Sequence, residues 1–337
     1  MKYRNLGRTG VKVSPLCLGC MMFGRKTPPA ASKKIMEQAF AAGINFFDTA
    51  NVYGRGASEE VVGAALHELG IRDRVVLATK VHGRMADYDP NAMANTRRHI
   101  MAACEDSLRR LKTDYIDLYQ IHRPDPHIPI DETLRALDDL VQAGKVRYIG
   151  TSTFATWQIV ESLWVARDGG WNRFVCEQPP YHPLDRRAER ELLPMARTYG
   201  VGIIPWAPLA SGFFTEKYRD PHAIPADARL QPGTAQKRTE QLLSDPAYAV
   251  HRVFDALAKE HEATMSQIAL AWNMAQPGVT SPIMGIRTVE QLTDNLGSLE
   301  VELGAADFER IDAAAPPLHA IVPYGDDAAW GPHPHRV

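Results

Sequence analysis

Short apolar runs that end on a polar residue recur along the chain, and segments with helical periodicity separate them. The apolar runs predict strands near 15–19, 44–49, 75–80, 115–121, 146–151, 174–178, 201–206 and 280–284. The segments between them predict helices near 32–42, 58–69, 94–111, 130–143, 156–167, 186–199, 266–276 and 288–297, with an additional helix near 247–261. Alternating strands and helices are typical of a parallel sheet, and eight such units favour a closed (β/α)8 TIM barrel.

Three segments fall outside this alternation. Residues 2–13 predict an N-terminal β-hairpin, because Gly7 and Gly10 lie near its turn. Residues 211–246, after the seventh strand, form a connection too long for a simple turn, and residues 315–337 form an irregular tail that contains Tyr324 and Trp330. We expect a single barrel domain over 1–314, and the long loop and the tail are candidates to fold over its mouth.

Local signals place several helix ends. Ser58 precedes two glutamates, which predicts an N-cap followed by acidic residues at the positive end of a helix. Gly43 and Gly200 follow helical runs, where a C-terminal stop is expected.

Polar residues end four of the predicted strands. Asp48, Tyr53, Lys80, His122 and Gln178 lie at or just beyond the C-terminal ends of these runs. In a barrel of parallel strands these ends meet at one rim, where such folds carry their chemistry. A phenol, an amine, an imidazole and a carboxylate at one rim predict a proton-transfer site in an enzyme.

Each of these residue types has a distinct chemical use. The phenol of Tyr53 is a weak acid, and a nearby Lys80 is expected to lower its pKa and ease proton donation. Asp48 is expected to hold the Lys80 ammonium and supply its counter-charge. His122 is expected to hydrogen-bond the substrate oxygen or to share the proton at a different pH.

Composition excludes several classes of function. The formal charge is 38 − 40 = −2, so nothing favours binding to nucleic acid or to an anionic membrane. No apolar run approaches the length of a membrane span, and cationic residues interrupt the first 24 positions, so a cytoplasmic protein is expected. Cys17 and Cys20 lie on a predicted strand, where three steps span roughly 10 Å, too far for a disulfide. No metal-binding motif occurs, and no metal is expected.

The phosphate-binding devices of common nucleotide folds are missing from the sequence. Neither G-x-G-x-x-G after a strand nor G-x-x-x-x-G-K-[ST] occurs. The end of the eighth strand offers other means, because Gly285 allows close backbone approach and a helix begins near Thr288. Arg287 beside them has a planar fork suited to a phosphate.

Six segments together resemble the aldo-keto reductase superfamily, most closely the branch of bacterial reductases and potassium-channel β subunits. The segments are 46-FFDTANVYG-54, 77-LATK-80, 116-IDLYQIHRPD-125, 150-GTSTF-154, 204-IPWAPLASGFFTEKY-218 and 283-IMGIRTVEQLTDNL-296. The resemblance implies an NADPH-dependent oxidoreductase acting on carbonyl groups, with Tyr53 as general acid and Asp48, Lys80 and His122 completing a catalytic tetrad. Its partner would be a small-molecule carbonyl substrate, and the oligomeric state, monomer or homo-oligomer, is left open.

The same resemblance implies a set of residues around NADPH/NADP+. Cys20, Met21 and Asp48 would lie beside the nicotinamide ribose. Ser152, Thr153 and Gln178 would hold or adjoin the carboxamide, and Trp206 would stack on the nicotinamide. The pyrophosphate would contact Ala207, Pro208, Leu209, Ser211 and Lys217. The adenosine 2′-phosphate and adenine would contact Gly285, Arg287, Gln291 and Asn295, and Arg287 therefore favours NADPH over NADH.

The sequence departs from the family pattern at a few positions. Ala207 replaces a common Ser, Cys20 replaces a common Thr, and His182 with Pro183 replaces a common Asn-Leu pair. Channel β subunits carry Asn at the position of His122, so His122 favours a working reductase. Two alternatives stay open: a cofactor-sensing accessory subunit with little turnover, and a barrel that isomerises sugars without a metal or cofactor.

Overall fold

A computed structural model of the chain describes residues 1–233 and 237–324. Its strands are β1 (Arg4–Asn5), β2 (Lys12–Val13), β3 (Cys17–Gly19), β4 (Phe46–Asp48), β5 (Val76–Val81), β6 (Ile116–Ile121), β7 (Val146–Ser152), β8 (Phe174–Gln178), β9 (Gly202–Ile203) and β10 (Ile283–Gly285). The last eight form one parallel sheet in the order β10-β3-β4-β5-β6-β7-β8-β9. All eight predicted barrel strands are confirmed, although the first, second and seventh are shorter than expected and the eighth begins later.

The two ends of this sheet meet along a short seam. Ile203 and Val279 form a parallel bridge, and the Thr280 amide donates to the Ile203 carbonyl at 2.7 Å. The Ile283 amide donates to the Pro205 carbonyl at 2.8 Å. These bonds join β9 to the segment leading into β10, so the sheet closes into the predicted (β/α)8 barrel.

The helices surround the barrel. They are α1 (Pro29–Ala41), α2 (Ala57–Leu69), α3 (Arg97–Leu111), α4 (Ile130–Gln142), α5 (Thr156–Gly169), α6 (Leu192–Tyr199), α7 (Lys237–Leu242), α8 (Asp245–Glu260), α9 (Met265–Ala275), α10 (Val289–Leu296) and α11 (Ala305–Ala314). Helices α7 and α11 were not predicted. In α11 only Ile311 is buried, so the sequence carries almost no amphipathic signal there.

The predicted beginning of the sixth helix and the predicted N-cap of the second helix are wrong. The sixth helix was expected from 186, but a 3₁₀ turn at Arg187–Glu189 precedes a helix that begins at Leu192. Pro194 explains the delay, because its ring would clash with the carbonyl four residues earlier in a continuous helix. Ser58 is not the N-cap of α2, since Gly56 holds that position. The Ser58 hydroxyl instead donates to the Cys20 carbonyl at 2.8 Å.

Apolar side chains form two separate cores. The larger core lies between the sheet and the helices. The smaller core fills the barrel interior and consists of residues contributed by several strands and by the N-terminal hairpin: Leu6, Val13, Cys17, Phe46, Ala78, Leu118, Val175, Cys176, Ile204 and Ile283. A filled interior confines open space for a ligand to the rims of the barrel.

The N-terminal hairpin closes the bottom of the barrel. Strands β1 and β2 pair antiparallel, as predicted, and Val13 of β2 and Leu6, directly after β1, pack in the interior core. Gly7 adopts a φ of 56°, and a Cβ there would lie 2.5 Å from the Val175 carbonyl oxygen. Only glycine allows so close an approach of the turn to the strand backbone. Because the hairpin covers this end, the opposite, C-terminal rim is the open end at which a substrate could bind.

The candidate mouth segments are described in part. Residues 234–236 of the long loop and 325–337 of the tail, including Trp330, lie outside the described residues. The described tail, 315–324, crosses the segment that follows β8 and reaches the C-terminal rim. Within the described parts of the chain, no helix has both the length and the apolar character needed to cross a membrane.

Candidate active site

The four residues of the predicted tetrad lie close together at the C-terminal rim. Asp48 is the last residue of β4, and Lys80 is the penultimate residue of β5. Tyr53 begins a 3₁₀ turn that follows β4, and His122 comes directly after β6, where its amide donates to the Val81 carbonyl at 2.9 Å. The expectation that these strand ends converge is therefore confirmed, while the roles of the residues stay predictions.

A buried ion pair is the centre of the group. The Lys80 Nζ atom lies 2.6 Å from Asp48 Oδ2, and it also donates to the Thr49 carbonyl at 2.8 Å and to Tyr53 Oη at 3.4 Å. The Lys80 side chain has no exposed surface. Burial alone would lower the pKa of Lys80, but the charge of Asp48 and the phenol of Tyr53 outweigh it and raise the pKa. Lys80 is therefore a cation at neutral pH, held beside the phenol.

The acidity of Tyr53 differs from expectation. Lys80 does lower the pKa of the phenol, as predicted, but burial has the larger effect and the pKa is raised overall. The correction follows from desolvation, because a phenolate loses more hydration on burial than one nearby ammonium restores. Tyr53 is thus fully protonated at neutral pH and holds a proton available for donation.

His122 is a neutral side chain. Burial, together with the positive charges of Lys80 and Arg123, lowers its pKa well below the ordinary value. Its ring packs edge-on against Tyr53, with the ring centroids 5.6 Å apart. A neutral imidazole beside the phenol is a hydrogen-bonding group for a substrate oxygen and no longer a candidate proton donor near pH 7.

The second oxygen of Asp48 is held by two amides. Gln120 Nε2 donates to Asp48 Oδ1 at 3.1 Å, and Gln178 Nε2 donates to the same atom at 3.0 Å. Gln178 also donates to Gln120 Oε1 at 3.1 Å, so the three side chains form one network. Sequence reasoning missed Gln120, although two-residue periodicity places it on the same face of its strand as His122. The network fixes the carboxylate that holds Lys80.

The end of β7 contributes the predicted carboxamide residues. Ser152 Oγ donates to the Gln178 carbonyl at 2.9 Å, and Thr153 is buried with a φ of 61°. A β-branched residue rarely adopts this left-handed conformation, and such strain is concentrated at functional sites. Arg123 Nη1 donates to Thr153 Oγ1 and to the His122 carbonyl, which ties the ends of β6 and β7 together.

Cys20 and Met21 follow β3 at the same rim. The Cys20 amide donates to the Asp48 carbonyl at 2.8 Å, so the two strand ends are directly connected. The Cys20 thiol is buried and its pKa is raised, mainly by burial. All four cysteines are free, as expected from their spacing. Met21 is half-buried beside them. Cys20 is therefore a packing group with a weak hydrogen-bonding atom.

The segment after β9 has an unusual backbone. Trp206 is followed by Ala207, Ala210 and Ser211, which all have positive φ, between 48° and 64°. Pro208 and Leu209 lie between them. Left-handed residues next to right-handed ones direct successive amides to one side and create a concave site for anions. The geometry suits the predicted contact with a pyrophosphate.

A cation and a carboxylate flank this segment. Lys217 Nζ lies 2.5 Å from Asp227 Oδ2 in the long loop. The hydrogen bond and charge of Lys217 lower the pKa of Asp227, with a smaller contribution from Arg287. Lys217 thus pairs directly with Asp227, and the charge of Arg287, predicted from a separate part of the sequence, also acts on that carboxylate.

The end of β10 offers the remaining predicted contacts. Gly285 is exposed, and a Cβ there would meet no atom within 4 Å. The Thr288 hydroxyl caps α10 by accepting from the Gln291 amide, and Gln291 Oε1 accepts from the Arg287 amide at 2.9 Å. Asn295 is buried on α10, whereas Arg287 is exposed. The open glycine, the helix N-terminus and the exposed guanidinium together fit a phosphate.

His182, one of the departures from the family pattern, carries an electrostatic cost. It is fully buried, and neither ring nitrogen has a hydrogen-bond partner within the described residues. Burial lowers the pKa of His182 to about 4. The charge of Asp185 opposes this shift, and the charges of Arg238 and Arg187 add to it. An unfolded histidine takes up a proton near pH 6.5, so between pH 6.5 and 4 the unfolded state binds more protons than the folded state. Stability is lost as the pH falls through this window.

We therefore expect His182→Leu to make the free energy of unfolding depend less on pH below about pH 6.5. Between pH 7 and 4 the wild-type free energy of unfolding should fall by about 3 kcal/mol more than that of the variant. Glu177, whose pKa burial raises to about 7, titrates with the opposite sign, but it cancels in the comparison. Urea unfolding across this pH range measures the difference. His67→Leu on the exposed face of α2 is the control, and parallel profiles for wild type and His182→Leu would contradict the expectation.

Comparison with known proteins places this arrangement in a family. A model of the aldo/keto reductase family matches residues 15–316. The oxidoreductase YrpG of Bacillus subtilis is 41% identical over 315 residues, which cover 90% of this chain and 92% of that protein. A probable voltage-gated potassium channel subunit beta of Oryza sativa subsp. japonica is 36% identical over 304 residues, covering 89% of this chain and 92% of that protein.

A third relative has a more specific name. The versiconal hemiacetal acetate reductase of Aspergillus parasiticus is 34% identical over 337 residues, covering 93% of this chain and 96% of that protein. The matches thus include oxidoreductases and channel subunits, as the sequence motifs indicated. With its barrel and with a family match over most of its length, the chain belongs to the aldo/keto reductase family.

Proposed function

We propose that this protein reduces an aldehyde or ketone to the corresponding alcohol with NADPH. The observation that carries the proposal is the position of Lys80 Nζ, 2.6 Å from Asp48 and 3.4 Å from the protonated hydroxyl of Tyr53. When bound, the nicotinamide supplies the hydride to the carbonyl carbon. The chain must then supply one proton to the carbonyl oxygen, and it must stabilise the charge that develops there.

Tyr53 is the proton donor in this proposal. As its hydroxyl gives up the proton, negative charge develops on Oη, and the Lys80 ammonium stabilises that charge in a site with little water. Burial raises the pKa of Tyr53 overall, but Lys80 lowers it, so without the ammonium the phenol would give up its proton less readily still. Asp48 keeps Lys80 in place, and neutral His122 orients the substrate oxygen.

The rim has features that fit a dinucleotide. Trp206 is half-buried, so part of its indole is available for stacking. The positive-φ backbone at 207–211 and the side chain of Lys217 suit a pyrophosphate, and Gly285 leaves open space at the end of β10. These features lie at the same end of the barrel as the tetrad, which supports a cofactor that spans from Arg287 to Tyr53.

The proposal is tested by incubating the protein with NADPH and a panel of aldehydes and ketones. Absorbance at the NADPH band and identification of the alcohol product measure turnover, and each carbonyl is also run with NADH. Consumption of NADPH with matching alcohol formation supports the proposal. Failure to bind NADPH would overturn the cofactor assignment together with the roles of Arg287 and Trp206.

Arg287 should decide between the two cofactors. We expect Arg287→Met to raise the Kd for NADPH by about 10- to 100-fold, because a charge-assisted bond to the 2′-phosphate contributes about 1.5–3 kcal/mol. The Kd for NADH should change by less than about twofold, since NADH lacks that phosphate. Titration followed by tryptophan fluorescence measures both. Arg252→Met, an exposed cation on α8, is the control, and an equal loss for both cofactors would contradict a 2′-phosphate contact.

A second candidate is a cofactor-sensing accessory subunit. The similarity to potassium channel β subunits favours it. It predicts tight NADPH binding without turnover of any carbonyl in the panel. The presence of His122, where channel subunits carry Asn, favours the reductase instead. The same incubation therefore separates the two proposals.

A further inference from the structure

The described tail, residues 315–324, which we call the C-terminal segment, is hydrogen-bonded to the rim of the barrel. After α11 the chain crosses the segment that follows β8, and the Arg186 amide donates to the His319 carbonyl at 2.8 Å. The Ile321 and Val322 amides both donate to the Leu184 carbonyl, at 2.9 and 3.0 Å. These bonds bring Tyr324 to the side chain of Trp206. The two ring centroids are 4.3 Å apart, and the rings are nearly perpendicular, at 86°.

The backbone of Tyr324 is held on both sides. Its amide donates to Asp185 Oδ2 at 2.6 Å, and its carbonyl accepts from Arg187 Nη2 at 3.2 Å. Arg187 also forms two bonds of 2.8 Å to the carboxylate of Asp185, which is itself buried. A paired, buried carboxylate is a fixed anchor. The position of Tyr324 is therefore set by the segment after β8 and not by the tail alone.

The ring of Tyr324 has a second contact, with Arg238 of α7. The Arg238 guanidinium carbon lies 4.3 Å from the ring centroid. Its three guanidinium nitrogens are buried and have no hydrogen-bond partner in the described parts of the chain. A buried cation without hydrogen bonds is costly, and the face of an aromatic ring is one of the few groups that offset the cost. Arg238 thus binds the ring of Tyr324 from the side of the long loop.

The indole of Trp206 is held differently from its backbone. Its backbone amide donates to the Pro179 carbonyl at 2.9 Å, but its indole Nε1 is buried and has no hydrogen-bond partner among residues 1–233 and 237–324. Within the described residues, packing therefore fixes the plane of the indole. Tyr324 makes the close aromatic contact that can do so.

We propose that Tyr324 is a positioning residue that fixes the indole of Trp206 for stacking on the nicotinamide. The inference rests on the proposed function, since it assigns a role to the ring that the cofactor is expected to contact. The edge of one ring packs against the face of the other and orients Trp206. Asp185 and Arg187 hold the backbone of Tyr324, and Arg238 holds its ring. The C-terminal segment is thereby part of the cofactor site.

The first test needs no cofactor. The chain is labelled with 5-fluorotryptophan, and the ¹⁹F resonance of Trp206 is identified by its loss in Trp206→Phe. Tyr324→Ala should shift or broaden this resonance, because the edge-to-face partner is removed. Tyr324→Phe should preserve it, and so should Leu318→Ala, a change at an exposed residue of the same segment. An unchanged Trp206 resonance in Tyr324→Ala would overturn the proposal.

The second test is a double-mutant cycle on the Kd for NADPH. Tyr324→Ala should weaken binding by about three- to tenfold, as expected for an aromatic pair, and Tyr324→Phe should restore it. In a Trp206→Leu background the Tyr324→Ala change should have no further effect, because neighbours acting through one contact are not additive. Arg238→Met should raise the Kd for NADPH by a smaller factor, about two- to threefold, and only in a protein that retains Trp206.

The outcomes separate the inference from the proposed function. Additive effects of Tyr324→Ala and Trp206→Leu, with normal NADPH binding by the wild type, would overturn the role of Tyr324 alone. A wild type that does not bind NADPH would overturn the proposed function, while the fluorine spectra would still report whether Tyr324 orients Trp206. Thermal unfolding of each variant identifies a loss of binding that results from a destabilised fold.

Discussion

Tyr53→Phe is expected to lower kcat for aldehyde reduction by about 10²- to 10⁴-fold, which is the usual contribution of general acid catalysis. The substitution removes one oxygen atom and the proton it carries, and leaves the ring that packs against His122. The ion pair between Lys80 and Asp48 should also stay in place, since its 2.6 Å contact does not involve the phenol. The Kd for NADPH should therefore change by less than about twofold.

Steady-state assays with NADPH and a reactive aldehyde measure kcat, and fluorescence titration measures the Kd. Tyr199→Phe is the matched control, because Tyr199 ends α6 just before β9 begins, at the end of the barrel opposite the C-terminal rim, and it is partly exposed. Retention of more than about a tenth of the wild-type kcat in Tyr53→Phe would assign the proton to another group. Loss of NADPH binding in that variant would instead indicate that the phenol supports the cofactor site.

The strand ends could be predicted because each one has a local signature. An apolar run that ends on Asp48 or Lys80 indicates both a buried strand and the end at which it opens to the rim. Barrel topology then requires the ends to meet, and the 2.6 Å contact between these residues follows from that geometry. The resemblance to a family added roles, which the local pattern alone does not contain.

Other parts of the site depend on contacts between distant segments. Gln120 was missed because periodicity shows only that it shares a strand face with His122, and the fold is needed to bring Asp48 Oδ1 within 3.1 Å of its amide. The direction of the Tyr53 pKa depends on how much water the fold removes, and that quantity is not visible in the sequence. Tyr324 meets Trp206 across more than a hundred positions of chain, with no periodicity to predict the pair.

Asp48→Ala is expected to lower the free energy of unfolding by about 3–5 kcal/mol and to reduce activity severely. It leaves the Lys80 ammonium buried without its counter-charge, and it removes the acceptor of the Gln120 amide and one of the two acceptors of the Gln178 amide. The pKa of Lys80 is raised in the wild type, so its pairing stabilises the fold below the unfolded pKa and is lost only as the pH rises through the folded value. Urea unfolding at pH 7 therefore measures the full effect.

The double variant Asp48→Ala/Lys80→Met separates stability from catalysis. Removing both charges should recover most of the lost stability, because an apolar replacement for a buried pair is often neutral while a single unpaired charge is costly. Activity should not recover, since no cation then stabilises the developing phenolate of Tyr53. A single Asp48→Ala variant as stable as the wild type would show that Lys80 deprotonates or reaches water freely. A double variant that recovers activity would contradict the role of Lys80 in proton transfer.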